Sequence, residues 1–130
     1  MNRGALMSEV ILKSVKLGNG LTLDVKDMSR RISADAYAVK LQFVIDIMVT
    51  QERCEKADLP FREVKRLFDK KGCLFLVEIE RNFIKEEVAE EVKEELIRSY
   101  LATNQNYMAH PGFADGVLKR TFYEKKKRFV

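Results

Sequence analysis

Every odd position from 37 to 49 is apolar: Tyr37, Val39, Leu41, Phe43, Ile45, Ile47 and Val49. Side chains alternate across a strand, so a period of two places all seven on one face. The even positions read Ala38, Lys40, Gln42, Val44, Asp46, Met48 and Thr50, polar with apolar interruptions. A helix would scatter the odd set around its circumference. The pattern therefore predicts one long strand, with one face on a core and the other at most partly covered.

Two further strands are expected upstream. Glu9 to Leu17 carries Val10, Ile11, Leu12, Val15 and Leu17, and Leu21 to Lys26 alternates apolar and polar strictly. Between them, Gly18-Asn19-Gly20 supplies residues that tolerate the positive φ of tight turns, which predicts an antiparallel hairpin. Asp27 to Arg31 then reads as a polar connection.

Beyond the long strand the chain is polar from Gln51 to Asp58. Leu59-Pro60 offers a helix start, because proline is tolerated in a first turn. Phe61, Val64, Leu67 and Phe68 recur at helical spacing before Gly72, predicting a short amphipathic helix. Cys73, Phe75, Val77, Ile79, Arg81 and Phe83 alternate with Leu74, Leu76, Glu78, Glu80 and Asn82, as a strand whose first half is a candidate for burial on both faces. From Lys85 to about Thr103 the period changes: Val88, Val92, Leu96 and Tyr100 form a stripe widened by Ala89, Ile97 and Leu101. Six glutamates from Glu86 to Glu95 cover the rest and favour the N-terminal end of a long helix. Asn104-Gln105-Asn106 is its expected exit, His110-Pro111-Gly112 a loop, and a short helix is expected from about Ala114.

Sequential strands on short links favour antiparallel pairing, and late helices can cover the apolar face. The expected fold class is α+β: a mainly antiparallel sheet of about four strands, covered on one face by a long C-terminal helix and a shorter one. The 130 residues are expected to form a single domain, 1–130, with residues 1–8 and the last few as candidates for flexibility.

Composition narrows the class. Hydrophobic residues at 46% and charged residues at 34% describe a globular chain and not a disordered one. The apolar runs are too short to span a bilayer, and the first ten residues lack a secretory pattern, so a cytoplasmic location without membrane insertion is expected. Two cysteines and one distant histidine cannot build an ordinary Cys/His zinc site, and no metal or other cofactor is expected. Cys73, in an apolar run, is expected to be buried; Cys54, among Glu52, Arg53, Glu55 and Lys56, is expected to be exposed. The net charge of +4 is uneven. Lys119, Arg120, Lys125, Lys126, Lys127 and Arg128 against Glu124 give the last twelve residues +5, so the remainder is −1.

Catalytic motifs are absent: there is no G-x-x-x-x-G-K-[ST] phosphate loop and no G-x-S-x-G elbow. Glu78 and Glu80 share a strand face, where a solvated face with Lys40 and Gln42 is the simpler reading than a carboxylate pair. Asp27-Met28-Ser29 invites comparison with the D-x-S-x-x-G half of a PilZ cyclic-dinucleotide site. Ile32 occupies the glycine position and only Arg3 lies upstream, so the comparison fails. Arg30 and Arg31 remain candidates for binding an anion, with pairing to Asp27 or Asp35 the preferred alternative. His110 is a candidate ligand-binding loop residue. Lys119, Arg120, Lys125, Lys126, Lys127 and Arg128, with Phe122, Tyr123 and Phe129 among them, are a candidate nucleic-acid face. Packing of this segment on the glutamate-rich helix or on a second copy is the favoured alternative, with the aromatics as anchors.

The expected function is a non-enzymatic interaction or scaffold domain that forms a homo-oligomer, with no catalytic residues assigned. Val44, Met48, Leu74 and Leu76 supply its contact on the outer strand faces. Small-ligand or nucleic-acid binding is the alternative, and an enzyme of unknown class comes third.

Overall fold

The computed structural model describes residues 10–68 and 72–128. The fold is α+β, built on a five-stranded antiparallel sheet. Strands β1 (Val10–Lys16) and β2 (Thr22–Asp27) form the expected hairpin, and β3 (Arg30–Ser33) follows. The long strand is β4 (Ala36–Ile47). Helices α1 (Gln51–Lys56) and α2 (Phe61–Phe68) precede β5 (Cys73–Lys85). A 3-10 turn (Glu86–Val88) leads into α3 (Ala89–Ala109), and α4 (Phe113–Arg128) closes the described chain.

One more strand is present than the sequence suggests, because the polar connection after β2 is itself paired. β2 lies along Leu41–Ile45 of β4 and β3 along Ala36–Ala38, while β5 takes the opposite edge. Between β2 and β3 the ladder is bridged locally. Met28 N–H donates to the Lys40 carbonyl at 2.8 Å, and Lys40 N–H donates to Ser29 Oγ at 3.0 Å.

The odd row of β4 is the centre of the core. Val39, Leu41, Phe43, Ile45 and Ile47 are all buried, and register sets Leu23 and Val25 of β2 and Phe75, Val77 and Ile79 of β5 beside them. Burial of a side chain such as Phe43 contributes about 1.5–3 kcal/mol. The covering helix is displaced relative to expectation: Tyr100 stacks on Phe43 with ring centroids 4.1 Å apart, whereas Val88 is exposed and Val92 and Leu96 are half-buried. The rest of the cover comes from α1, α2 and α4, through Cys54, Val64, Phe68, Val117, Leu118 and Phe122.

α3 continues past Asn104-Gln105-Asn106, because Asn104 Nδ2 donates to the Tyr100 carbonyl one turn back and Met108 is buried. Pro111 stops it: the residue before a proline is driven out of helical conformation, and His110 is extended at φ −63, ψ 140. The segment 51–58, expected to be merely polar, holds α1. Thr50 Oγ1 accepts from Arg53 N–H at 3.1 Å as its N-cap. At its end Asp58, at φ 59, turns the chain so that Leu59 N–H reaches the Cys54 carbonyl and Asp58 N–H the Glu55 carbonyl. Cys54, expected to be exposed, is therefore fully buried: it lies on the inward side of a helix whose other residues are polar or charged.

Alternation along β5 breaks at Phe83. The register steps three residues on β5, Arg81 to Ile84, against two on β4, Val39 to Tyr37. The extra residue, Phe83, is at φ 59 and leaves the face it would share with Val77 and Ile79; its side chain is 80% exposed. Gly72 enters β5 at φ +70, and a Cβ there would stand 3.4 Å from the Ile47 carbonyl oxygen.

Candidate functional site

Arg30 and Arg31 lie on β3, the edge strand beside the first residues of β4, and each meets a carboxylate other than the expected Asp27 or Asp35. Arg30 Nη1 lies 3.5 Å from Glu80 of β5. Arg31 is held by four groups: its guanidinium donates to the Ala34 carbonyl and Tyr37 Oη, sits 4.8 Å over the Tyr37 ring and lies 3.4 Å from Glu86. Asp35 accepts from Ser33 instead. An incoming anion would have to displace these contacts, although exposed pairs of this kind contribute little to stability.

Asp27 ties the sheet to α3. Its Oδ1 accepts Ser29 N–H at 2.9 Å and its Oδ2 lies 2.8 Å from Lys93 Nζ, which also meets Glu90 at 2.9 Å. Burial alone would raise the Asp27 pKa, but the hydrogen bonds from Lys93 and Ser29 outweigh it and hold the carboxyl below its ordinary value. Burial likewise works against the Lys93 charge, and Asp27 and Glu90 overcome it and raise that pKa. The D-x-S element is thus a structural joint.

Glu78 and Glu80 do not form a carboxylate dyad. Gln42 Nε2 donates to Glu78 at 2.7 Å and Lys40 stands 3.5 Å away. That hydrogen bond and the lysine charge hold the Glu78 pKa down. These rows and Ser14 donating to Asp24 at 2.6 Å make most of the outer sheet face a polar lattice. Toward the β4–β5 end the lattice gives way to apolar side chains: Met48, Leu74 and Leu76 are 71%, 49% and 44% exposed. Val44, expected to be part of that exposed set, is only 6% exposed, lying between Asp24 and Leu76 in the ladder.

His110 caps α3, about 30 Å of helix away from the Glu86–Arg31 contact. Asn19, at the hairpin tip, fixes this end: its Nδ2 donates to the Met108 and His110 carbonyls at 2.9 Å each, satisfying helix-terminal acceptors. The basic residues divide into two groups. Lys126 pairs with Glu63 of α2 at 3.1 Å and Lys125 Nζ lies 5.5 Å over Phe68, so the acidic partner is on α2 and not on the glutamate-rich α3. Lys119, Arg120, Lys127 and Arg128 are exposed. Of the aromatic anchors, Phe122 is buried and Tyr123 exposed; Phe129 lies outside the described residues. The segment also brings Arg120 close to His110, since both line a cleft with Tyr107 between the ends of α3 and α4. Tyr107, Gly112 and Gly116 were not legible as site residues, because only helix packing brings them together.

Cys54 and Cys73 are both free and buried, and burial pushes each thiol's pKa up, which suits packing and not nucleophilic chemistry. Among the described residues no group of three or more His, Cys, Asp or Glu is placed to hold a metal ion, and no helix is long and apolar enough to cross a membrane. No family model, curated protein or solved structure matches the chain.

Proposed function

We propose that this chain is a non-enzymatic interaction domain that self-associates through the Met48–Leu74–Leu76 corner of its outer sheet face, in a reducing, cytoplasmic setting that keeps its thiols free. The supporting observation is the first half of β5. Cys73 to Val77 carries no charge, is apolar on both faces and lies on a strand that pairs only with β4 among the described residues. Natural edge strands are defended by charges, and β5 has them from Glu78 onward in Glu80, Arg81 and Lys85. The undefended half coincides with the exposed leucines. A two-fold axis beside Phe75 sets Leu74 of one copy opposite Leu76 of the other, removes both from water and leaves the acidic rows clear.

Sedimentation velocity over a concentration series tests this reading. The wild type is expected to move from monomer to dimer as concentration rises, and Leu76→Lys to stay monomeric with unchanged thermal unfolding. A wild type that remains monomeric throughout would refute it. Val44→Lys does not discriminate, because that side chain is buried and its loss would also unfold the sheet.

A further inference from the structure

Gly116 lies inside α4, where glycine is a poorer helix residue than alanine, yet a Cβ there would meet nothing within 4 Å. No contact with a described residue accounts for the missing side chain. With Gly112, Gly116 lines a cleft of about 250 Å³ between the ends of α3 and α4, walled by Tyr107, His110 and Arg120. His110 Nδ1 accepts Gly112 N–H at 3.0 Å, so the neutral ring carries its proton on Nε2 and presents a donor on its far side.

The cleft opens onto a continuous helix face. Gly116, Arg120, Tyr123 and Lys127 are spaced by four, three and four residues and share one side of α4, with Lys119 at its flank. Lys119, Arg120 and Lys127 make no hydrogen bond or ion pair with another described residue. Two half-exposed rings accompany them, each set edge-on by a buried one: Tyr107 against Phe113 at 5.1 Å and Tyr123 against Phe122 at 5.2 Å. The acids of α4 are Asp115, which lies 3.6 Å from Arg53, and Glu124.

We propose that the cleft and this face form a docking site for single-stranded nucleic acid. One nucleotide seats against Tyr107 with its phosphate on Arg120 and the His110 Nε2–H. The strand continues past Lys119 and Lys127, with a second base stacked on Tyr123. Rows of cations complement phosphates, and exposed rings complement unpaired bases, whose faces a duplex hides. A lipid surface would call for an apolar helix face, but that of α4 is spent in the core through Phe113, Ala114, Val117, Leu118 and Phe122.

Fluorescence anisotropy with labelled single-stranded RNA and DNA of about 12 nucleotides tests the site, at an ionic strength of about 0.15 M. The full chain is expected to bind at least one of them in the micromolar range. Lys119→Ala with Arg120→Ala should weaken binding about tenfold or more and flatten its salt dependence. Tyr123→Ala should weaken it about tenfold. Arg30→Ala with Arg31→Ala removes the same charge and should leave affinity unchanged. Gly116→Ala separates docking from folding, since it should raise the melting temperature and weaken binding together. The proposal fails if neither strand binds more tightly than about 0.1 mM. It fails equally if the Arg30/Arg31 variant loses as much as the Lys119/Arg120 variant, if Gly116→Ala leaves affinity intact, or if vesicles of anionic lipid are bound in preference to either strand.

Discussion

The inward row of β4 ends in a closed apolar layer, with Phe75, Val77 and Ile79 of β5 half-buried at its border, while the outward rows of both strands meet water over most of their length. Phe43 and its neighbours are sealed by Tyr100, Val64, Phe68 and Phe122, contributed by three helices. On the other side Lys40, Gln42, Glu78, Glu80 and Arg30 satisfy one another, and exposed hydrophobic side chains of these two strands gather at Leu74, Leu76 and Met48. The two faces come from the same strands, so propensity does not separate them. Completion does: the inner face has its partners within the chain, the polar lattice is content with water, and the apolar corner has neither.

The largest expected effect follows from truncating the sealed face. Phe43→Ala should cost about 3–5 kcal/mol in chemical denaturation; a loss below about 1 kcal/mol would mean that the inner layer is not the packed one. Next comes the joint between sheet and α3. Asp27→Asn should cost roughly 1–3 kcal/mol at neutral pH, because it leaves Lys93, largely withdrawn from water, with only the exposed Glu90 as its carboxylate partner. The folded-state pKa of Asp27 is lowered, so its contribution is present above the ordinary aspartate value of about 4 and is lost as pH falls through the lowered value. That of Lys93 is raised, so its share is present below about pH 10.4 and is lost as pH rises through the raised value. Denaturation of wild type and Asp27→Asn across pH should therefore show the two converging at both extremes. A difference independent of pH would sink the assignment.

Asn19→Ala should cost about 1 kcal/mol, because the Met108 carbonyl at the end of α3 loses its amide donor and the His110 carbonyl keeps only Phe113 N–H; guanidinium titration measures it, and an unchanged midpoint would show that water replaces the amide. The smallest effect belongs to the outer corner. Leu76→Lys should alter monomer stability by less than about 0.5 kcal/mol. A larger loss would place Leu76 in the monomer's own packing and remove the distinction between the faces.

The sheet was legible because alternation is a local property: the odd row of β4 and the Gly18-Asn19-Gly20 turn announce themselves within a few residues. α1 was hidden by its charged surface, although Thr50 as a cap, with Cys54 and Ala57 one turn apart, was a usable signal. Phe83 could not be read, since nothing in C-L-F-L-V-E-I-E-R-N-F shows where a bulge inserts. The asparagines that looked like a helix end are inside α3, because Tyr100 and Met108 pack on either side of them and tertiary contacts outweigh weak propensities. The candidate sites were the least legible part. Arg30 and Arg31 take partners 50 and 55 residues away, Asn19 reaches a carbonyl 89 residues along, and the His110–Arg120 cleft exists only once α3 and α4 have turned against each other.

Directed cross-linking tests most directly whether the apolar corner is the contact between copies. In Leu74→Cys with Leu76→Cys, the native thiols of Cys54 and Cys73 stay buried, so mild oxidation reports only on the introduced pair. Rapid formation of a covalent dimer is expected, and none at equal concentration for Thr22→Cys with Asp24→Cys on the same face of β2. Cross-linking no faster at the β5 corner than at β2 would contradict it.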